Sequence, residues 1–373
     1  MRKKLKLTAL CLAVIMLLGT LCSCGEIKIP TLVDDLINFD YSNFLDNEDE
    51  SEKESKDDKP LDGDDGDRES ESQNGDAIID GEPDAPTDPS EYRERILLVT
   101  DFHYVSTKNW YETDPDERMR LMIEDINEEY KKDPFCMIVF MGDYSLDHWA
   151  WDRSKPYCTY LNTGVSHTEL FMKKYKSQLP DVPMFWLAGN HEQFGEATWK
   201  KMVGNSRQGY EIIQDYMLIM WDSYGGELDP DYHHDGVYTP IDTKWVRSLM
   251  DKYPDKKVIL ISHFFDAAKE KGNSEELLKD DRVIALFGGH NHASHLQDLG
   301  GEFGHKYLAF AGNYSYYNEK AGTPDPYYWG FRDLVLTKNR MRSAYLVCEN
   351  TITVNGKKIN IAAKEQNILS LPT

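Results

Sequence analysis

Short apolar runs recur along the chain between residues 95 and 287, and five of them have the length and composition of buried β-strands. Each run leads directly into a short segment that is rich in glycine and polar residues, which indicates a turn at its carboxyl end. The five runs are Arg95–Thr100, Phe135–Met141, Val182–Trp186, Lys257–Ile261 and Arg282–Phe287.

Helical periodicity appears in three of the segments between these runs. It predicts helices over Asp116–Tyr130, around Glu169–Gln178, and over Thr243–Lys252. The segment Tyr210–Trp221 is typical of a hairpin or of paired strands. Strands and helices in this arrangement predict a domain of the α/β class, in which chemistry is usually found at the carboxyl ends of the strands.

Two further segments have a clear local signal. Thr351–Val354 and Lys358–Ile361 flank the pair Asn355-Gly356, which strongly predicts a hairpin turn. Asp147–Tyr160 is dense in Trp and Tyr and interrupts the strand pattern, so we interpret it as a loop insertion.

The amino terminus has the pattern of an export signal rather than of a folded element. A basic start precedes the apolar run Leu7–Leu18, which is too short to span a bilayer comfortably. The following Leu21-Cys22-Ser23-Cys24 resembles the end of a bacterial lipoprotein signal, which predicts a signal over residues 1–23 and a lipidated Cys24 held at a membrane. The alternative is an ordinary secretory signal that is cleaved nearby. Both interpretations predict an exported, extracytoplasmic protein.

Residues 24–90 are predicted to form an acidic, disordered tether, and residues 91–373 the catalytic domain. From Asp46 to Ser90 the chain is rich in Asp, Glu, Ser and Gly and has almost no aromatic or β-branched residue, so it cannot bury enough surface to fold. The formal net charge of −23 argues against nucleic acid as a partner, although much of the acidity lies in this tether.

The polar segments after the five strands carry side chains that can bind metal ions. Hard carboxylate and amide oxygens mixed with imidazole nitrogens suit iron, manganese or zinc. The alternation in Asp101-x-His103 and His290-x-His292 predicts that both side chains of each pair lie on one side of an extended segment. The candidate metal ligands are Asp101, His103, Asp143, Asn190, His263, His290 and His292.

These residues resemble the five motifs of the calcineurin-like metallophosphoesterases, namely D-x-H, G-D, G-N-H-E, a strand-end H and G-H-x-H, and they occur in the family's order from Asp101 to His292. The resemblance implies two packed mixed β-sheets flanked by helices, a four-layer sandwich, with two metal ions at the strand ends. One ion would be bound by Asp101, His103 and His292. The other would be bound by Asn190, His263 and His290.

The resemblance also implies roles for the remaining motif residues. Asp143 would bridge the two ions, and His191 would protonate the leaving-group oxygen or hold the phosphoryl group. Glu192 could orient a neighbouring ligand. Two metal ions close together can activate water and neutralise the charge on a phosphoryl group.

Two departures from the family pattern fall in loops that we expect to face the substrate. Many relatives continue the second motif as G-D-x-x-D-R, whereas here Asp147 is displaced by one position and no arginine follows it. This weakens an interpretation as a protein serine/threonine phosphatase. Phe264-Phe265-Asp266 also replaces the proline-containing continuation that is frequent after the fourth motif.

The remaining histidines, cysteines and aromatic residues give weaker signals. An odd number of cysteines in the domain permits one disulfide at most. Some aromatic residues could stack on a base or sugar, and packing is the alternative. The histidines are His148, His233, His234, His295 and His305; the cysteines are Cys136, Cys158 and Cys348; the aromatics are Trp149, Trp151, Tyr157, Tyr160 and the region from Tyr314 to Trp329.

The sequence thus predicts an exported, membrane-anchored phosphoesterase with two divalent or trivalent metal ions (Mn, Fe or Zn) and a small phosphate ester as substrate. A phosphodiesterase or nucleotide hydrolase is the first choice. A broad phosphomonoesterase is the alternative within the enzymes. A binding lipoprotein that keeps the fold without turnover is the alternative from another class, although the complete ligand set and His191 argue against it.

Overall fold

The computed structural model describes residues 92–106, 113–148, 160, 164–226, 228, 236–315, 328–348, 350–354, 357–361 and 364–373. The predicted signal, the predicted tether, the Asn355-Gly356 turn and most of the Asp147–Tyr160 insertion lie outside these residues. None of the helices in the described part has both the length and the apolar character needed to cross a membrane.

The described residues form fourteen β-strands and six α-helices. The strands are β1 (Arg93–Val99), β2 (Met137–Met141), β3 (Met184–Leu187), β4 (Gly209–Ile213), β5 (Tyr216–Met220), β6 (Lys257–Ile261), β7 (Val283–Gly288), β8 (Leu296–Asp298), β9 (Tyr307–Phe310), β10 (Gly330–Thr337), β11 (Arg340–Val347), β12 (Asn350–Val354), β13 (Lys357–Ile361) and β14 (Lys364–Pro372). The helices are α1 (Pro115–Lys132), α2 (His167–Tyr175), α3 (Glu196–Val203), α4 (Thr243–Lys252), α5 (Ala267–Glu270) and α6 (Glu275–Leu278).

Two six-stranded mixed sheets form the centre of the fold. The first has the order β14-β11-β10-β1-β2-β3, and the second has the order β4-β5-β6-β7-β9-β8. Strands β1, β2 and β3 are parallel to one another, as are β5, β6, β7 and β9. The strands that carry the predicted ligands are therefore the parallel ones, so their carboxyl ends lie at a common edge within each sheet.

Three apolar clusters define four layers. Between the sheets, side chains such as Leu98 and Val139 pack with Leu218 and Ile261 of the second sheet. The outer face of the first sheet packs against α1, α2 and α3, and that of the second packs against α4 and α6. The predicted four-layer sandwich of helices and two mixed sheets is therefore confirmed.

The strands and helices that local signals predicted lie within two residues of their observed bounds, except α2, whereas β8, β9, α3, α5 and α6 were not predicted. Helix α4 and strand β6 have the predicted bounds, and the hairpin predicted over Tyr210–Trp221 is formed by β4 and β5. Helix α1 begins at Pro115 because the Asp114 carboxylate accepts the Glu117 N–H at 2.9 Å and caps the first turn. In the predicted Glu169–Gln178 helix, α-helix gives way to a 3₁₀ turn at Lys176.

Strands β10, β11 and β14 were not predicted. They form one half of the first sheet and pair with it through β1. Charged residues interrupt their apolar pattern, since Arg332, Asp333 and Arg342 lie within β10 and β11 and are all buried. A buried charge is rare unless it is paired, so the pattern alone did not indicate a central strand.

Three buried arginines hold the loops that follow the ligand-bearing strands. Arg118 of α1 donates to the carbonyls of Phe102 and, at 3.1 Å, His103, beside the first motif. Arg332 of β10 donates to the carbonyl of Ser294, two residues after the last motif, and to that of Phe310 at 2.7 Å. Each guanidinium therefore satisfies backbone acceptors that would otherwise be buried without a donor.

The third buried arginine, Arg207, donates hydrogen bonds to backbone carbonyls of the G-N-H-E loop, the third motif, and of the residues that follow it. Its Nη1 donates to the carbonyls of Glu192 and Phe194, both at 2.8 Å. Its Nε and Nη2 pair with the Asp222 carboxylate, with a distance of 3.0 Å from Nη2 to Oδ1. Both side chains are buried, so this ion pair ties the G-N-H-E loop to the end of β5.

We expect Arg207→Met to lower the free energy of unfolding by about 3–5 kcal/mol, because it leaves the Asp222 carboxylate buried without its partner. Chemical denaturation of the full chain, followed by tryptophan fluorescence, measures this change. Arg120→Met is the matched control: Arg120 pairs with Glu117 and Glu124 on the exposed face of α1, and its loss should cost less than about 1 kcal/mol.

Adding Asp222→Asn to Arg207→Met should recover part of the lost stability, because the uncompensated charge is then removed. Equal stability of Arg207→Met and the parent chain would contradict the assigned role, as would a double variant that is less stable than the single one.

Candidate metal centre

The loops after β1 and β2 run side by side, so the first two motifs lie next to each other. The Asp101 N–H donates to the Gly142 carbonyl at 3.1 Å, and the His103 N–H donates to the Asp143 carbonyl at 3.1 Å. In the second sheet, the Gly289 N–H donates to the His263 carbonyl at 2.8 Å and connects the loops after β6 and β7. Backbone hydrogen bonds therefore fix the motifs in two adjacent pairs.

The first group of candidate ligands consists of Asp101, His103 and His292, whose ligating atoms all lie within 4.8 Å of one another. Oδ1 of Asp101 lies 3.1 Å from Nε2 of His292 and 3.6 Å from Nε2 of His103. Its other oxygen, Oδ2, accepts hydrogen bonds from Thr100 Oγ1 at 2.6 Å and from the His290 N–H at 2.9 Å. Asp101 thus presents one oxygen to the two imidazoles while the other is held by the backbone and a hydroxyl.

The second group contains Asp143, His263 and His290, also within 4.8 Å, and Asn190 lies among them. Oδ1 of Asn190 is 3.0 Å from both His263 Nε2 and His290 Nδ1. The other ring nitrogen of His263, Nδ1, is 2.8 Å from the Met141 carbonyl; when the neutral ring donates to that oxygen, Nε2 carries no proton. An imidazole oriented in this way is prepared to bind a metal ion through Nε2.

The Asp143 carboxylate lies between the two groups. Its Oδ2 is 3.4 Å from His103 Nε2 in the first group and 3.3 Å from His263 Nε2 in the second. Burial raises the pKa of Asp143, but His191 and His263 lower it more, so it stays well below its ordinary value. An ionised carboxylate is therefore buried at the point that a bridging ligand would occupy.

Two buried oxygens show that the site fits cations. Oδ1 of Asp101 is inaccessible to solvent and accepts no hydrogen bond. Oδ1 of Asn190 lies 3.1 Å from both oxygens of Asp143, an arrangement that requires either a cation between them or the opposite amide orientation, in which the nitrogen donates to that carboxylate. A cation bound in each ligand group would satisfy the oxygen of that group, since carboxylate and amide oxygens are ordinary ligands of divalent metals.

The backbone at the ligands is left-handed rather than extended, which corrects the expectation from sequence alternation. Among the described residues, eight other than glycine have positive φ, and five of the eight are candidate ligands. A left-handed conformation costs such residues free energy, and it concentrates at functional sites. The five are Asp101 (φ 52°), His103 (φ 42°), Asp143 (φ 55°), His290 (φ 67°) and His292 (φ 55°).

Two of the motif glycines are needed for different reasons. Gly142 has φ +98°, which allows the sharp turn that places Asp143 at the end of β2. Gly189 does not need an unusual φ, but a Cβ there would overlap Oδ1 of Asp143. The second glycine therefore allows the third motif to approach the bridging carboxylate.

His191 forms a third cluster with His103 and Asp143, and the candidate ligating atoms of this cluster also lie within 4.8 Å of one another. Nε2 of His191 is 3.6 Å from Asp143 Oδ2, and its ring centroid is 5.4 Å from that of His103. Burial lowers the pKa of His191 to about 3, against the opposing charge of Asp143, so the imidazole is neutral at neutral pH in the protein alone. A neutral ring can donate one N–H, and a negatively charged substrate would favour its protonation.

Glu192 holds the second and third motifs together. Its carboxylate accepts backbone N–H groups from Asp143 at 2.8 Å, Tyr144 at 3.0 Å, Ser145 at 3.1 Å and Gly189 at 3.0 Å. Burial and the neighbouring Asp143 raise the pKa of Glu192, while the backbone N–H donors oppose this shift and favour the ionised carboxylate. Glu192 therefore positions both loops through their backbones rather than through a single neighbouring side chain.

The displaced acid of the second motif has a structural contact. Asp147 is buried and accepts the backbone N–H of His167 at 2.7 Å and of Thr168 at 3.1 Å, at the first turn of α2. The adjacent His148 uses Nδ1 to accept the Gln193 N–H at 3.0 Å, next to the G-N-H-E loop. Both residues support loops near the candidate site and do not join the two ligand groups.

The weaker candidates do not join the site within the described part of the chain. His305 is exposed and pairs with Asp298 at 3.0 Å, and His295 packs against Phe310. Tyr314 and Trp329 stack on each other in the core. Cys136 and Cys348 are free thiols. The residues outside the described ranges are His233, His234, Cys158, Trp149, Trp151 and Tyr157.

Comparison with solved structures gives distant matches. A dimetal phosphatase from Danio rerio is 12% identical over 68% of this chain and 95% of its own, with a TM-score of 0.49. PhoD is 9% identical over 75% of this chain and 70% of its own, with a TM-score of 0.49. A 5′-nucleotidase precursor from Thermus thermophilus is 10% identical over 75% of this chain and 55% of its own, with a TM-score of 0.36. These values carry no inference about substrate.

No curated protein matches the chain. The family model described as calcineurin-like phosphoesterase matches residues 94–294. The match covers more than half of the chain and includes both groups of candidate ligands, Asn190 and His191. The chain belongs to the calcineurin-like phosphoesterase family.

Proposed function

We propose that this chain is an exported, lipid-anchored phosphoesterase with two metal ions, acting as a phosphodiesterase or nucleotide hydrolase. The observation that carries the proposal is the buried Asp143 carboxylate, which lies within 3.3–3.4 Å of an imidazole nitrogen from each ligand group. Two groups that share a carboxylate are suited to two neighbouring ions of Mn, Fe or Zn.

In this proposal Asp101, His103 and His292 bind one ion, and Asn190, His263 and His290 bind the other, with Asp143 shared. When bound, such ions polarise a phosphoryl oxygen and acidify water. The protein fixes the ligand atoms before the substrate arrives, through the Met141 carbonyl on His263 and the Thr100 hydroxyl on Asp101. This preorganisation removes the free-energy cost of reorienting polar groups during the reaction.

His191 is the residue proposed to act on the substrate directly. It lies beside Asp143 and outside the two proposed ligand sets, so its Nε2 can reach a phosphate ester held at the site. It would donate its proton to the leaving oxygen, or hold the phosphoryl group by a hydrogen bond. Donation matters most for alkyl and nucleoside esters, whose alkoxides are poor leaving groups.

The proposed location depends on the sequence of the amino terminus. Cys24 follows Leu21, Cys22 and Ser23, after a basic start and a short apolar run. Lipidation at Cys24 would hold the catalytic domain at the outer face of a membrane, separated from it by the acidic tether.

Asp143→Asn should lose bound metal and turnover together, because the shared ligand loses its charge. Changing a residue that only hydrogen-bonds to a metal ligand typically lowers activity by roughly 10- to 100-fold. We expect a larger loss of turnover here, because Asp143 is itself a proposed ligand. Elemental analysis of the full chain and a phosphodiester assay measure the two effects. Asp181→Asn, an exposed position, is the matched control. A folded Asp143→Asn variant that keeps both metals and full turnover would refute the bridging role.

The His191→Ala variant should keep its metal ions. Its loss of turnover should increase with the pKa of the leaving group. For alkyl or nucleoside esters we expect a loss of about 10²–10⁴-fold, and for an activated aryl ester a much smaller one. The measurement is the ratio of variant to parent turnover across leaving groups of graded pKa, with exposed His305→Ala as control. An equal loss across the series would leave His191 only a phosphoryl-positioning role.

Cys24→Ser should abolish acylation, whereas Cys22→Ser, two residues earlier, should leave it intact. The reason is that the lipid requires the thiol of the mature first residue. Incorporation of a labelled fatty acid and partition into detergent measure both variants. Acylation or membrane retention of the Cys24→Ser protein would contradict the predicted anchor.

A further inference from the structure

Three aromatic rings lie beside the second ligand group, and we name Tyr224, Tyr238 and Phe264 the aromatic wall. The Phe264 ring centroid is 4.4 Å from that of His290, and the Tyr224 ring is 6.0 Å from His263 and 6.3 Å from His290. Tyr238 packs behind them, 5.7 Å from Phe264 and 6.3 Å from Tyr224. Aromatic surface is thus continuous with two candidate metal ligands.

The wall is held in place by hydrogen bonds. The Phe264 N–H donates to Ser223 Oγ at 3.3 Å, and the Phe264 carbonyl accepts from Ser262 Oγ at 2.7 Å. The Tyr238 hydroxyl donates to the buried Glu270 carboxylate at 2.7 Å. The backbone of Phe264 and the ring of Tyr238 are therefore held in place before any ligand binds, which lowers the entropic cost of binding.

Exposure distinguishes the three rings. Tyr224 and Tyr238 are buried, at 4% and 7% exposure, whereas Phe264 and the neighbouring His290 are partly exposed. The two tyrosines therefore act as a rigid backing, and Phe264 is the member of the wall that a ligand at the site can reach. A flat apolar face of this kind favours an aromatic ligand through stacking.

His191 and the aromatic wall contact different imidazole rings of the site, and His191 Nε2 also lies 3.4 Å from the Asn190 amide nitrogen of the second group. The ring neighbour of His191 is His103 of the first group, at 5.4 Å, while the wall contacts His263 and His290 of the second. A phosphodiester has two organic arms, and the arm that leaves must have its oxygen near the proton donor. The arm that is retained is then available to contact the wall.

We propose that the aromatic wall binds the retained arm of a phosphodiester substrate, and that this arm carries a flat heteroaromatic ring such as a nucleoside base. This inference rests on the proposed function and specifies its substrate class. The wall discriminates between diesters by their retained arm, independently of the leaving group.

Two diesters with the same leaving group test the proposal: thymidine 5′-(4-nitrophenyl) phosphate and methyl 4-nitrophenyl phosphate. The parent chain, loaded with metal, should have a higher kcat/KM for the thymidine ester. Phe264→Ala should reduce that preference by about 5- to 150-fold, the range expected for loss of one base–aromatic stack. Phe264→Tyr should retain the preference, and Phe264→Leu, which keeps apolar volume without the ring, should lose most of it.

Binding supplies a second readout. Calorimetry should show that Phe264→Ala weakens binding of thymidine 5′-phosphate more than binding of methyl phosphate. Ile212 is an exposed apolar residue on the edge strand β4, and Ile212→Ala is the control that should change neither ratio.

If Phe264→Ala hydrolyses both diesters and prefers the thymidine ester as strongly as the parent chain does, the proposed binding role of the aromatic wall is wrong. The proposed function would remain intact. A parent chain that hydrolyses neither diester would overturn the proposed function, and equal binding losses for the two phosphates would overturn the aromatic wall.

Discussion

The buried negative charge of Asp143 is the constraint on which the candidate site depends. The carboxylate lies at the end of β2 with imidazole nitrogens of His103, His191 and His263 at 3.3–3.6 Å. A buried carboxylate is costly unless positive charge and hydrogen bonds compensate it. The two candidate ligand groups supply that compensation when they bind cations, which explains why five strand ends from two sheets converge at this point.

Bringing the five strand ends together strains the backbone at the candidate ligands, and hydrogen bonds from the surrounding residues offset that strain. Five candidate ligands adopt left-handed backbone conformations, each of which typically costs on the order of 1–3 kcal/mol. The loops are held by Glu192, which accepts four backbone N–H groups, and by Arg118, Arg207 and Arg332, which donate to loop carbonyls. Strain can persist at the ligands because these buried contacts leave the loops no relaxed alternative of similar energy.

The sequence predicted the features whose causes are local. Apolar runs, helical periodicity and one turn signal indicated just over half of the elements, and the residues after each run indicated the candidate ligand groups. It did not predict the backbone conformation at Asp101 or His290, because side-chain alternation assumes an extended chain. Strands β10 and β11 escaped prediction because Arg332 and Asp333 break the apolar pattern of β10 and Arg342 breaks that of β11, although all three are buried. Their environment depends on distant segments.

The aromatic wall illustrates the same limit for specificity. Tyr224 and Tyr238 come from the connection between β5 and α4, and Phe264 comes from the loop after β6; their sequence neighbours give no signal that they meet. Their proximity follows from the order β5-β6-β7 in the second sheet and from the hydrogen bonds around Ser223. Candidate metal ligands can thus be predicted from motifs, whereas the aromatic wall is visible only in the folded chain.

The most direct test of the account is anomalous diffraction from crystals of the metal-loaded chain. It should locate two ions, one among Asp101, His103 and His292 and the other among Asn190, His263 and His290, with Asp143 in contact with both. A single ion, or ions bound elsewhere with Asp143 contacting neither, would contradict the shared-carboxylate site.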